Sequence, residues 1–137
     1  MLSARALRVP RRGDVSVLAV DTVELPEPRP GQALVEVAAS GVNFIDIYQR
    51  EGIYPVALPF TLGLEGAGTV VAVGPDTPLS PGDRVAWAMR PGSAATHALV
   101  DAAALVPVPD DVTLYDAAAA MLQGMTAHFL TTSTYAV

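Results

Sequence analysis

Turn residues break this chain at short intervals over roughly its first hundred positions, and that spacing restricts the fold more than any other feature. Arg12-Gly13-Asp14, then Pro26, Pro28 and Pro30 with Gly31, then Pro81-Gly82-Asp83 each halt whatever precedes them. Proline fixes φ and cannot donate to a sheet, while glycine supplies the dihedrals that tight turns need. The stretches between them are short, and several alternate or are rich in β-branched residues. A first strand is predicted through Ala4, Arg5, Ala6 and Arg8 to Val9, with further strands over 15–25, 33–40, 68–73, 84–88 and 96–100. The run Gly-Thr-Val-Val-Ala-Val at 68–73 is the strongest of them. Many short strands with regular turns predict a barrel or sandwich, mainly β with short helices.

Helical character enters twice. Residues 43–49 place Phe44, Ile45 and Tyr48 at near-helical spacing. From Thr113 the texture changes: Thr113-Leu114-Tyr115-Asp116 has the form of a cap before a helix at 117–121, and a further helix is predicted from Gly124 to about residue 132. The chain reaches Tyr135-Ala136-Val137 without a clear terminal element and reads as truncated.

Several function classes fall away. Half the residues are apolar, 51%, yet no apolar run approaches the ~18 residues of a membrane helix. A net charge of −6 disfavours nucleic acid and anionic membranes as partners. The absence of cysteine excludes disulfides and thiolate zinc sites. With no secretory signal, the expected location is the cytoplasm. The Arg-bearing start could imitate a transit peptide, but its alternation favours a strand.

The most conspicuous polar grouping is Gly41-Val42-Asn43-Phe44-Ile45-Asp46-Ile47-Tyr48 with Gly52-Ile53-Tyr54-Pro55. A carboxamide, a carboxylate and two phenols there can hold a planar polar ring, and a phenol can supply a proton. Equally, Tyr48 and Tyr54 can be half-buried packing residues with satisfied hydroxyls. Gly63-Leu64-Glu65-Gly66-Ala67-Gly68 superficially resembles a phosphate loop, but a strand follows the glycines where a dinucleotide fold needs a helix. Those glycines are expected to permit close backbone packing, or a bend where the strand enters a barrel. His97 and His128 stand alone, without metal-ligand spacing.

In order along the chain, Pro26-Glu27-Pro28-x-Pro30-Gly31, Gly41-Val42-Asn43-Phe44-x-Asp46-x-Tyr48-x-Arg50-x-Gly52-x-Tyr54-Pro55, Gly63-x-Glu65-x-x-Gly68, Val73-Gly74, Gly82-Asp83-Arg84-Val85 and Leu122-Gln123-Gly124-Met125-Thr126-Ala127 together carry a resemblance. The chain resembles the quinone oxidoreductase/ζ-crystallin branch of the medium-chain dehydrogenase/reductase superfamily over essentially its whole length. The resemblance implies a GroES-like β-barrel catalytic domain over 1–122, with the Rossmann domain absent from this chain. Residues 123–137 would begin a linker helix toward an NADPH-binding domain. It implies hydride transfer from NADPH, bound mainly by that other domain, to a small-molecule quinone in a homodimeric parent enzyme. Asn43, Phe44, Tyr48, Gln123, Thr126 and Phe129 are then implied to contact the nicotinamide end, and Tyr54 and Tyr48 to be catalytic. Asn43 and Leu64 occupy positions where zinc-dependent relatives carry cysteine and histidine, so no metal is expected. Glu65 is expected to be a structural hydrogen-bonder. Reduction of an activated C=C bond in an enal or enone, or a non-catalytic GroES-like binding module, are the alternatives.

Overall fold

The computed structural model describes residues 1–135. Its strands are β1 (Leu2–Val9), β2 (Ala19–Leu25), β3 (Gln32–Ser40), β4 (Phe60–Thr61), β5 (Glu65–Val73), β6 (Arg84–Ala88), β7 (His97–Asp101) and β8 (Val106–Pro107). They form a three-stranded sheet in the order β2-β1-β4 and a five-stranded sheet in the order β7-β3-β5-β6-β8. All pairings are antiparallel. β1 joins the two sheets through the segment before β7: the Leu7 N–H donates to the Ala94 carbonyl and the Thr96 N–H to the Arg5 carbonyl, each at 2.8 Å. These bonds wrap the sheets into a barrel, one of the two architectures the turn spacing allows and the one the resemblance implies.

Side-chain alternation explains the two-sided burial of the larger sheet. On β6, Val85 and Trp87 face a core shared with Val35, Val70 and Val100, while Ala86 faces the opposite way with Ala67, Ala117 and Ala118. The small residues on that second face let a helix lie close to the sheet. β5 begins at Glu65, three residues before the strand expected from β-propensity. The added residues are the glycine-rich ones, and packing requires them small. A Cβ at Gly66 would press to 2.9 Å from the Trp87 ring, and one at Gly68 would collide with the Glu36 carbonyl. Gly66 and Gly68 lie in the sheet, while Gly63, with φ 91°, bends the chain just before it enters β5.

Two expectations need correction. The second strand does not start at Val15. Asp14 accepts the Ser16 N–H at 2.9 Å and caps a 3₁₀ turn over Val15–Val17, so β2 starts only at Ala19. Nor are there two separate helices after Thr113. Residues 114–134 form one unbroken helical segment, composed of α2 (Leu114–Ala119), a wide π turn (Ala120–Gly124), α3 (Met125–Phe129) and a second π turn (Leu130–Thr134). Gly124 keeps right-handed helical dihedrals, φ −65° and ψ −45°, and so does not end it. The expected domain boundary after residue 122 falls inside the first π turn. The end of the expected linker, Ala136 and Val137, lies outside the described residues.

Candidate active site

One helix and one strand position the polar residues picked out by sequence. α1 (Phe44–Glu51) starts directly after β3 and stops at Gly52, whose φ of 85° is the left-handed conformation that ends helices. Its first turn is fixed by Asp46, whose carboxylate accepts the N–H of the N-cap residue Asn43 at 2.8 Å. Asp46 is buried, and burial pushes its carboxyl above the ordinary carboxylate range. The backbone N–H groups of Asn43 and Gly63 pull it down, and the neighbouring Glu65 charge pushes it up.

Glu65, at the start of β5, is fully buried and is the hub of the site. Its Oε1 accepts from Asn43 Nδ2 at 2.7 Å. Its Oε2 accepts the backbone N–H of Leu122 at 2.6 Å and of Gln123 at 3.3 Å. Gly41 leaves the room this requires, since a Cβ there would collide with the Glu65 carboxylate. The Gln123 side chain adds a second tie, donating from Nε2 to the Val42 carbonyl at 3.1 Å. The N-terminus of α1 and the first π turn are thereby held on one carboxylate.

Tyr48 and Tyr54 form a pair of their own. Their rings meet edge to face with centroids 5.6 Å apart, and the Tyr54 N–H donates to the Tyr48 carbonyl at 3.1 Å. Their exposures are 37% and 50%, so they are not core residues; the pair stands half in solvent. Thr126 turns back on its own helix and donates from Oγ1 to the Leu122 carbonyl at 2.6 Å. Phe44 and Phe129 are exposed, as are Met125 and Leu130 along the expected apolar stretch of 121–130. The structure thus joins Asn43 with Gln123 and Tyr48 with Tyr54.

An apolar cavity of about 530 Å³ borders the site on the far side of Gly41, Val42 and Asp46 and is lined further by Leu7, Ile47 and Leu62; neither tyrosine lines it. Geometry around Asn43 is the better guide to chemistry, because that is where polar groups from distant segments converge. Leu64 is buried, His97 lies on β7 and His128 in α3. Among the described residues no three His, Asp or Glu side chains gather as a metal site.

Sequence reading placed Glu65 as a hydrogen-bonder but missed its partners at 122 and 123. The only signal was an acidic residue set among Leu64, Gly66 and Ala67 in a segment otherwise fit for burial. A buried carboxylate requires compensating donors, and nothing local supplies them.

A small antiparallel barrel, a polar hub at the mouth of α1 and no strand–glycine–helix unit among the described residues define a GroES-like domain. The sequence profile of the alcohol dehydrogenase GroES-like domain matches residues 29–110. The quinone oxidoreductase of Pseudomonas aeruginosa is 41% identical over 136 residues, covering 96% of this chain and 42% of that protein. A 2-haloacrylate reductase of a Burkholderia species is 36% identical, covering 93% of this chain and 40% of that protein. The crystal structure of the Escherichia coli quinone oxidoreductase complexed with NADPH superposes with a TM-score of 0.91 at 32% identity, over 97% of this chain and 42% of that one. The chain belongs to the alcohol dehydrogenase GroES-like domain family, in the quinone oxidoreductase branch of the medium-chain dehydrogenase/reductase superfamily. It spans about two fifths, 42%, of the length of curated relatives it matches.

Proposed function

We propose that this chain is the GroES-like part of an NADPH-dependent, zinc-independent oxidoreductase that reduces a quinone. The observation that carries this reading is the Glu65 hub, which fixes Asn43 and Gln123 side by side although 80 positions separate them. Both belong to segments that the resemblance assigns to the nicotinamide. The residues present fit the ring end of the cofactor. Asn43 uses its amide N–H on Glu65, which leaves its carbonyl oxygen to accept from a carboxamide. The dinucleotide's phosphates ordinarily rest on a glycine turn and a helix N-terminus, and anchoring them falls to a second domain.

Bound NADPH supplies the hydride. The chain's own residues then do three things: Asn43 orients the ring, the edge-to-face pair Tyr48 and Tyr54 offers a flat acceptor an aromatic wall, and a phenol of that pair donates a proton. Gln123, Thr126, Phe129 and Phe44 border the same cleft in this reading. With Asn43 and Leu64 where zinc-dependent relatives hold ligands, catalysis here rests on positioning. Residues 1–122 form the catalytic domain, and the helix continuing from 123 leads to the cofactor domain of a cytoplasmic homodimer.

The 2-haloacrylate reductase among the relatives favours a second reading, reduction of an activated C=C bond. Steady-state NADPH oxidation by the full-length polypeptide, with 1,4-benzoquinone and with 2-chloroacrylate in parallel, separates the two. Quinone turnover is expected, and Asn43→Ala and Tyr54→Phe should each lower kcat/KM about tenfold, the loss of one positioning hydrogen bond. Parental rates in both variants would overturn the site, and turnover of the haloacrylate alone would overturn the substrate.

A further inference from the structure

The helical segment 114–134 departs from α geometry where it meets the barrel. Between α2 and α3 it opens into the π turn Ala120–Gly124. A π turn accommodates one extra residue, and at 3.6 residues per turn that residue rotates everything after it by roughly 100°. In a regular α-helix the N–H groups of Leu122 and Gln123 would bond to the carbonyls of residues 118 and 119. Here both donate to Glu65 Oε2, at 2.6 and 3.3 Å. No proline lies within 114–134 to force the change. Threonine hydroxyls bond back to helix carbonyls at both π turns, Thr126 to Leu122 at the first and Thr131 and Thr132 to Ala127 and His128 at the second, Leu130–Thr134. What distinguishes the first is the carboxylate on its amides.

We infer that Glu65 is a positioning residue whose carboxylate draws the π turn into the helix and so sets the rotational phase of residues 125–134 relative to Asn43. Three features on the page agree. The carboxylate is fully buried, so its two oxygens must find donors within the protein. Gly41 keeps open the space it fills. The same group fixes Asn43, so one residue sets both the place of the N-cap amide and the phase of Thr126 and Phe129. The catalytic consequence rests on the function proposed above; the phase does not.

The test uses three variants: Glu65→Leu, deletion of Ala120, and the two combined. Glu65→Leu removes both acceptor oxygens, whereas glutamine would keep a carbonyl oxygen able to receive the two backbone amides. In NMR spectra of the ¹⁵N-labelled chain it should convert the contacts across 118–125 to an unbroken i to i+4 pattern, with 130–134 unchanged as an internal control. In the full-length polypeptide it should raise KM for NADPH about tenfold, as for a lost positioning hydrogen bond, with a smaller effect on kcat. Deleting Ala120 alone leaves Glu65 still drawing the turn, so the following residues fall out of phase and KM rises too. Combined, the changes restore phase and KM should return toward the parental value. A merely structural role gives additive damage. Persistence of the π turn in Glu65→Leu, or absence of rescue, overturns the inference. Should Glu65→Leu not fold, the deletion variant decides, because a regular α-helix in it overturns the inference and a retained π turn supports it. If the full-length polypeptide oxidises no NADPH, the function falls while the NMR result stands.

Discussion

β5 and the helical segment after Ala119 are both rich in apolar and small residues, yet they have opposite fates. From Glu65 to Val70 the strand is almost wholly buried, between β3 and β6 and under α2. From Met125 to Tyr135 the helix is exposed throughout, Met125, Phe129 and Leu130 included. The barrel satisfies its apolar residues by its own closure. The helix, beyond its hold on Glu65, leaves Met125, Phe129 and Leu130 uncovered by any other described residue. Apolar burial is therefore concentrated in the barrel and falls away along the helix.

That contrast can be tested on the isolated chain, beginning where the effect is largest. Trp87 is fully buried at the centre of the barrel core. Trp87→Ala should cost about 3 to 5 kcal/mol, the usual range for a large aromatic removed from a core, read as a shift in denaturation midpoint. A loss below about 1 kcal/mol would show that the barrel is not the stable unit.

A smaller effect should appear in the pH dependence. Burial raises the Asp46 carboxyl above the ordinary carboxylate range, so the folded state holds its proton to higher pH than the unfolded chain. The sign follows. Stability attributable to this group is highest below pH ~4 and declines as pH rises through the raised folded value, where the buried carboxyl must ionise. Asp46→Asn should flatten that decline. An unchanged slope would place the pH dependence in other groups.

The smallest change is expected at Phe129. Phe129→Ala removes an exposed side chain and should alter stability by no more than about 0.5 kcal/mol. It should also weaken self-association seen by sedimentation. A loss of several kcal/mol would mean that the helix end is packed after all, and the contrast with β5 would disappear.

The short strands and the turns between them were legible in the residues alone, as a barrel or sandwich, because their causes are local. The prolines and glycines at 26–31 and 81–83 end the strands beside them, and alternation assigns faces within a few residues. The order of glycines before a strand was enough to reject a phosphate loop at 63–68. Local reading slipped where two local preferences competed. Asp14 captured Ser16 and delayed β2 to Ala19, and the apparent gap between two helices proved to be continuous helix. The junction of Asn43, Glu65, Leu122 and Gln123, and the edge-to-face pairing of Tyr48 and Tyr54, arise only once the chain has folded. No periodicity encodes a bond between a strand carboxylate and an amide 57 positions away. It exists because a buried charge must find donors, and the fold brings those of residues 122 and 123 within reach.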